Sequence, residues 1–205
     1  TIGMIVNLAR QICRANNDIK KGEWNRNKYL GKELAYKTLG IIGFGNIGKR
    51  VGEIARCLKM DVLFYDTYVS EENGKKSGGT KVSLEELLRR SDVVTIHAPL
   101  NAETENLISK KQFEIMKDGA ILLNMGRGGI VNEKDLYNAL ASGKLMGAGG
   151  DVMGTEPCTD SPLYGFENFI ITPHFGGLVP ETQARLATIV AKKAIKLFGF
   201  NLDEH

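Results

Sequence analysis

An open, doubly wound parallel α/β sheet is the fold this sequence predicts, and three observations predict it. Short apolar runs alternate with helical patterns from residue 38 to near the end of the chain. A glycine-rich turn, Gly43-Phe-Gly-Asn-Ile-Gly48, joins the first run to the first of those helices. An aspartate, Asp66, closes the second run, 23 residues after Gly43. Strands that alternate with helical crossovers form a parallel sheet with helices on both faces.

The elements follow in order. Residues 2–15 read as one helix with Ile2, Ile5, Val6, Ala9, Ile12 and Cys13 on one face, lying outside the sheet and available to another surface. Trp24, after Gly22-Glu23, reads as a packing anchor. Leu39–Ile42 is a short apolar run, as expected of a buried parallel strand. A helix from Asn46 carries an apolar face of Ile47, Val51, Ile54 and Leu58, and Val62–Tyr65 is the second strand. Glu71–Gly79 reads as a mobile surface loop. Ser83 and Glu86 form a capping box before Leu84, Leu87 and Leu88, followed by the strand Val93–Ile96. Ser109 and Gln112 cap a short helix before the strand Ala120–Asn124. A helix through Leu136 and Leu140 stops near Gly143. Leu145–Ala148 and Phe169–Thr172 complete a set of six strands, and Pro180 opens a last helix with Leu186, Ile189, Val190, Ala194 and Leu197 on its apolar face.

Composition narrows the function classes. Of 205 residues, 42% are hydrophobic and 25% charged, an ordinary globular balance. The net charge is +3 and no basic run exceeds two residues, so no nucleic-acid partner is expected. Cys13, Cys57 and Cys158 stand far apart and in no metal-ligand spacing, which predicts a reducing, cytoplasmic setting and no metal. No membrane partner is expected, since no membrane-length apolar stretch or signal peptide is present. His205 is terminal and carries no reading.

The glycine turn has a physical logic that fits a Rossmann-type dinucleotide site. Gly43 lets the chain turn sharply, Gly45 admits a pyrophosphate against bare backbone, and Gly48 lets helix and strand approach closely. The helix amides beginning at Asn46 and Ile47 point positive partial charge at that pyrophosphate. Asp66 can accept hydrogen bonds from a ribose diol, and its interval from Gly43 is near the ~20 residues expected. A 2′-phosphate beside Asp66 would meet repulsion of roughly 4 kcal/mol per charge pair at about 4 Å and an effective dielectric near 20. Thr67 follows where a reader of that phosphate would offer arginine, so the expected cofactor is NAD.

Three later turns carry polar groups that the fold does not need. Asn124-Met-Gly-Arg127 follows one strand, Asp151 to Glu156 the next, and Pro173-His174 the last. In an open parallel sheet ligands lie beyond the carboxyl ends of the strands. Arginine can hold a carboxylate by a two-point bond. Histidine can move a proton near neutral pH, and a carboxylate bonded to it fixes its tautomer. Together these groups suit interconversion of a 2-hydroxy acid and a 2-oxo acid. His97 is open to two readings, packing or lining the cofactor pocket.

With these residues in view, the chain resembles the cofactor domain of the D-isomer-specific 2-hydroxyacid dehydrogenases, which include phosphoglycerate dehydrogenase and the glyoxylate/hydroxypyruvate reductases. The resemblance runs almost end to end, through Lys37 to Gly45, His97-Ala-Pro-Leu100, Asn124–Val131, Asp151–Pro157 and Thr172-Pro-His-Phe-Gly-Gly177. It implies that Arg127 binds the substrate carboxylate and carbonyl, that His174 is the acid/base and that Glu156 is its partner. Asp151 would bind the nicotinamide carboxamide, with His97, Ala98, Pro99, Asn124, His174 and Gly176 also at the cofactor. The implied substrate is a small acid such as 3-phosphoglycerate, glyoxylate or hydroxypyruvate.

The implied layout is a single NAD-binding domain over 1–205, with a hinge or interface helix at 1–21, a Rossmann core at 36–176 and a C-terminal helix at 180–198. Most of the family's second domain is expected to be absent, and a homodimer is expected. Two other readings stay open: an NAD(H)-sensing protein resembling the corepressors of this fold, and a cofactor-binding fragment without activity of its own. The chain departs from the family at Tyr36 and Lys59, where glycine is common; another residue is tolerated there if the turn avoids left-handed geometry. It departs again at Gly126 and Gly150, whose lack of a side chain is expected to loosen the loops around them.

Overall fold

The computed structural model describes residues 1–199; His205 lies outside them. The chain divides into two units, Thr1–Thr172 and Pro173–His205. The first unit opens with α1 (Ile2–Arg10) and α2 (Ile12–Lys20), and then runs β1 (Thr38–Ile42), α3 (Asn46–Cys57) and β2 (Asp61–Tyr65). Next come α4 (Glu71–Lys76), β3 (Thr80–Lys81), α5 (Leu84–Arg90), β4 (Val93–Ile96), α6 (Lys110–Ile115) and β5 (Ala120–Asn124). It ends with α7 (Glu133–Ala141), β6 (Leu145–Gly150) and β7 (Phe169–Ile171).

Seven parallel strands form one sheet in the order β3-β2-β1-β4-β5-β6-β7, the doubly wound arrangement the sequence predicts. Side chains alternate across it because successive residues of a strand face opposite ways. Leu39, Ile41, Val62, Phe64, Val93, Ile121 and Leu123 pack on one face with Ile5, Leu8 and Ala9 of α1 and Val51 and Ala55 of α3. Ile42, Val94, Ile96, Ala120 and Leu122 pack on the other with Leu87 and Leu88 of α5, Phe113 of α6 and Leu136 and Leu140 of α7. Cover on both faces is why these strands are apolar throughout.

Several expectations are corrected. Residues 2–15 are not one helix: Gln11 takes φ 53 and breaks the run into α1 and α2. Nor does α1 lie outside the sheet, since Ile5, Leu8 and Ala9 are buried against it. The buried face of α3 is Gly48, Val51, Gly52 and Ala55, whose small side chains let the helix sit close to the strands. Ile47 is left 65% exposed and Ile54 39% exposed. A seventh strand, β3, extends the sheet beyond the six expected. Glu71–Lys76 is a helix rather than a loop, opened by Ser70, whose Oγ accepts from the Asn73 amide at 3.3 Å.

Trp24 is 81% exposed and anchors nothing among the described residues. Asp18 does the anchoring in that segment, accepting from Lys28 Nζ at 2.6 Å and Tyr29 Oη at 2.7 Å. Those two donors hold its carboxyl below the usual range. Tyr36 and Lys59 do adopt left-handed geometry, with φ 63 and φ 59. A bond from the Tyr36 amide to the Lys59 carbonyl, 2.8 Å, ties the two turns together without glycine.

The second unit opens with a turn in which the Leu178 amide bonds the Phe175 carbonyl at 2.8 Å. It continues as α8 (Pro180–Phe198), which starts on a proline and ends at Gly199 with φ 67.

Candidate functional site

The strand order reverses between β1 and β4, and the glycine turn sits at the carboxyl end of β1 beside that switch. Gly43 has φ +87, and a Cβ there would come within 2.7 Å of the Ala98 amide and 2.8 Å of the His97 carbonyl carbon. Only glycine satisfies both demands. A Cβ on Gly48 would strike the Gly43 carbonyl, so α3 can pack against the turn only without one. Gly45 is different: a Cβ there would meet nothing within 4 Å. Neither backbone strain nor packing requires glycine at that point. The open space lies at the N-terminus of α3, which has no side-chain cap and no acid in its first turn. By contrast, Ser70, Ser83 and Asn132 cap α4, α5 and α7. An uncapped helix start beneath bare backbone suits an anionic group.

Asp66 closes the other side of the turn. Its Oδ2 accepts from the Phe44 amide at 2.7 Å, and its Oδ1 from the Tyr68 and Val69 amides at 2.7 and 2.8 Å. Three of about four acceptor positions of a carboxylate are thus occupied by backbone. A cavity of about 170 Å³ is lined by Gly43, Gly45, Asp66, Tyr68, His97, Ala98, Pro99 and Thr104 among others.

His97 lines this cavity while its ring is mostly buried. Its Nε2 lies 3.1 Å from Thr95 Oγ1. Burial pushes its pKa down to about 4, so the imidazole is neutral at pH 7. Beyond it the Thr104 hydroxyl donates to the Pro99 carbonyl at 2.7 Å and shapes the loop.

The next two strand ends carry the groups expected to do chemistry. Asn124 shapes its own loop: Nδ2 donates to the Arg127 carbonyl at 2.8 Å, and Oδ1 accepts from the Gly126 amide at 3.2 Å. Arg127 is exposed, and its Nη1 donates to the Gly126 carbonyl at 2.7 Å. Asp151 is only 7% exposed; its amide donates to the Asn124 carbonyl at 3.2 Å, and its Oδ1 accepts from Thr172 Oγ1 at 2.5 Å. Glu156 is exposed, and its Oε1 accepts from the Met153 amide at 3.1 Å.

The loops that carry these groups are not loosened by their glycines. A Cβ on Gly126 would come within 2.5 Å of the Ala98 carbonyl, and one on Gly150 would strike the Asn124 carbonyl. Neighbouring backbone fills the space that a side chain would take, so the ends of β4, β5 and β6 interlock. His174 and Gly176 belong to the second unit; His174 is exposed and holds φ 50, a left-handed conformation uncommon outside glycine. Thr172 is the residue that sequence reasoning passed over. Its motif was visible, but its bond to Asp151 joins residues 21 apart in the chain.

Residues 2–176 match the family described as D-isomer specific 2-hydroxyacid dehydrogenase, NAD binding domain. The chain belongs to that family. It is 40% identical over 206 residues to D-3-phosphoglycerate dehydrogenase of Methanocaldococcus jannaschii, covering 100% of this chain and 39% of the relative. It is 37% identical over 201 residues to hydroxypyruvate reductase of Thermotoga maritima, covering 97% of this chain and 65% of that protein. Among solved structures, D-lactate dehydrogenase from Aquifex aeolicus with NAD and lactic acid aligns with a TM-score of 0.86 at 33% identity, over 97% of this chain and 65% of that one. A glyoxylate reductase from Paecilomyes thermophila aligns with a TM-score of 0.85 at 35% identity, over 92% and 57%. The chain therefore spans less than two thirds of these relatives, and it corresponds to their NAD-binding domain. Dehydrogenase and reductase names favour that reading over the nucleotide-sensing one.

Proposed function

We propose that this NAD-binding domain serves a dehydrogenase that interconverts a small 2-hydroxy acid and its 2-oxo acid, such as 3-phosphoglycerate, glyoxylate or hydroxypyruvate. The observation that carries the cofactor half is the open space at Gly45 above the uncapped start of α3. Gly43, Gly45, Asn46, Ile47 and Gly48 hold the pyrophosphate there. Asp66, His97, Ala98 and Pro99 line the adenosine end, and Asn124, Asp151, His174 and Gly176 the nicotinamide end. Bound there, NAD(H) supplies the hydride chemistry.

The chain's own groups do the rest. Arg127 holds the substrate carboxylate by a two-point bond. His174 gives or takes a proton at the 2-oxygen, and Glu156 orients the imidazole and stabilises its charged form. Residues 36–176 form the cofactor core of a single domain over 1–205, with 1–21 as a hinge and interface segment and 180–198 as the C-terminal helix. The protein works as a cytoplasmic homodimer. Three free thiols, Cys13, Cys57 and Cys158, support the first point. Exposed Ile12, Ile19, Trp24 and Leu30 support the second.

His174→Ala tests the catalytic half. In a chain extended to the relatives' full length, it removes NADH oxidation by 2-oxo acids, since the proton-transfer group is lost. Normal turnover by the variant would remove His174 from the chemistry.

A further inference from the structure

Thr172 sits just past β7 and reaches back over the end of β6. Its amide donates to the Gly150 carbonyl at 3.1 Å, and its hydroxyl lies 2.5 Å from Asp151 Oδ1 and 3.4 Å from the Gly150 carbonyl. A hydroxyl has one proton to give, and the shorter contact to a charged acceptor takes it. Asp151 is 7% exposed, so water is a poor substitute for that donor.

The bond does something specific to the carboxylate. An Asp side chain rotates broadly about its last torsion. Pinning Oδ1 sets the plane of the group and therefore the direction of the other oxygen. Thr172 itself is held by its backbone bond to Gly150 and by a β-branched side chain with restricted rotation. The result is a carboxylate aimed by a rigid neighbour, at the strand end where the nicotinamide is expected.

We propose that Thr172 is a positioning residue for the nicotinamide end of the cofactor, acting by orienting Asp151 through its hydroxyl. This rests on the cofactor reading above, in which Asp151 meets the carboxamide. The role concerns one end of the ligand only. ADP-ribose, which lacks nicotinamide, gains nothing from a well-aimed Asp151.

Calorimetric titration of the chain with NADH and, separately, ADP-ribose separates the outcomes. Thr172→Val keeps the shape and removes the donor. It lowers NADH affinity about tenfold, the scale of one charge-assisted hydrogen bond, and leaves ADP-ribose affinity within about twofold. Thr172→Ser restores NADH binding to within about threefold, because the hydroxyl returns with a freer rotor. Should the valine variant fold poorly, Thr172→Ala gives the same split between the ligands. Unchanged NADH affinity overturns the proposal, and so does an equal loss for both ligands that serine does not rescue, which marks a structural role. Binding of neither ligand by the wild-type chain overturns the cofactor reading and this proposal with it.

Discussion

Replacing Asp66 with alanine removes the acceptor for three amides at once, those of Phe44, Tyr68 and Val69. The costs are unequal. Phe44 is fully buried and stacks on Phe64 with centroids 4.2 Å apart, so its amide has little access to water in the cofactor-free chain. A buried donor left without its partner costs about 2 kcal/mol. Tyr68 is exposed and Val69 half-buried, and water takes over their amides at about 0.5 kcal/mol each. The expected loss is about 3 kcal/mol, or a fall in Tm of roughly 6–12 °C for a chain of this size. Thermal and urea unfolding followed by circular dichroism measure it. Asp66→Asn keeps one acceptor oxygen and loses about half as much. Both variants weaken NADH, and removing the negative charge alone does not make a good NADPH site, because the glycine turn loses its brace. A Tm for Asp66→Ala within about 2 °C of wild type, under 1 kcal/mol, would refute the reasoning.

Gly45→Ala leaves stability within about 0.5 kcal/mol of wild type, because its Cβ meets nothing, yet weakens NADH binding. Gly48→Ala drives a methyl into the Gly43 carbonyl and costs about 1–3 kcal/mol in urea unfolding; equal stability of the two variants would contradict the packing described. His97, held near a pKa of about 4 in the fold against an ordinary 6.5, binds its proton more readily when unfolded. Its contribution is therefore full above pH 6.5 and is lost as pH falls towards 4, by roughly 3 kcal/mol across that window. Urea unfolding from pH 7 to pH 4 checks this: His97→Asn lacks that part of the slope, and parallel curves for variant and wild type would sink it.

What the sequence made legible was set by local chemistry. Short apolar runs marked six of the strands, and the spacing from Gly43 to Asp66 placed the switch point. The misses have equally local causes. Two-residue β3 is too short to show alternation. In Glu71-Glu-Asn-Gly-Lys-Lys76, Gly74 lowers helix propensity, but its lack of a side chain lets α4 sit directly against the Phe64 ring. Gln11, Tyr36 and Lys59 turn left-handed without glycine, so no residue type announces the turn. At the site, residue types could name Asp66 and Asp151 but not their partners. Phe44 and Thr172 meet those carboxylates only once β1, β2, β6 and β7 have paired, and no sequence pattern shows contacts between distant strand ends.

The groups assigned to the cofactor and those assigned to the substrate differ physically. Asp66, His97 and Asp151 are at least partly buried, and each has a hydrogen-bonding neighbour in the first unit. They are set before any ligand arrives, so little ordering cost falls on cofactor binding. Arg127 and Glu156 are exposed. In water an arginine–carboxylate contact contributes about 0–1 kcal/mol, too little to hold a small acid by itself. The same pair is stronger once solvent is excluded, because the effective dielectric falls. Under the roles proposed above, dinucleotide binding draws on groups already set within this chain, whereas firm substrate binding requires a surface that covers Arg127.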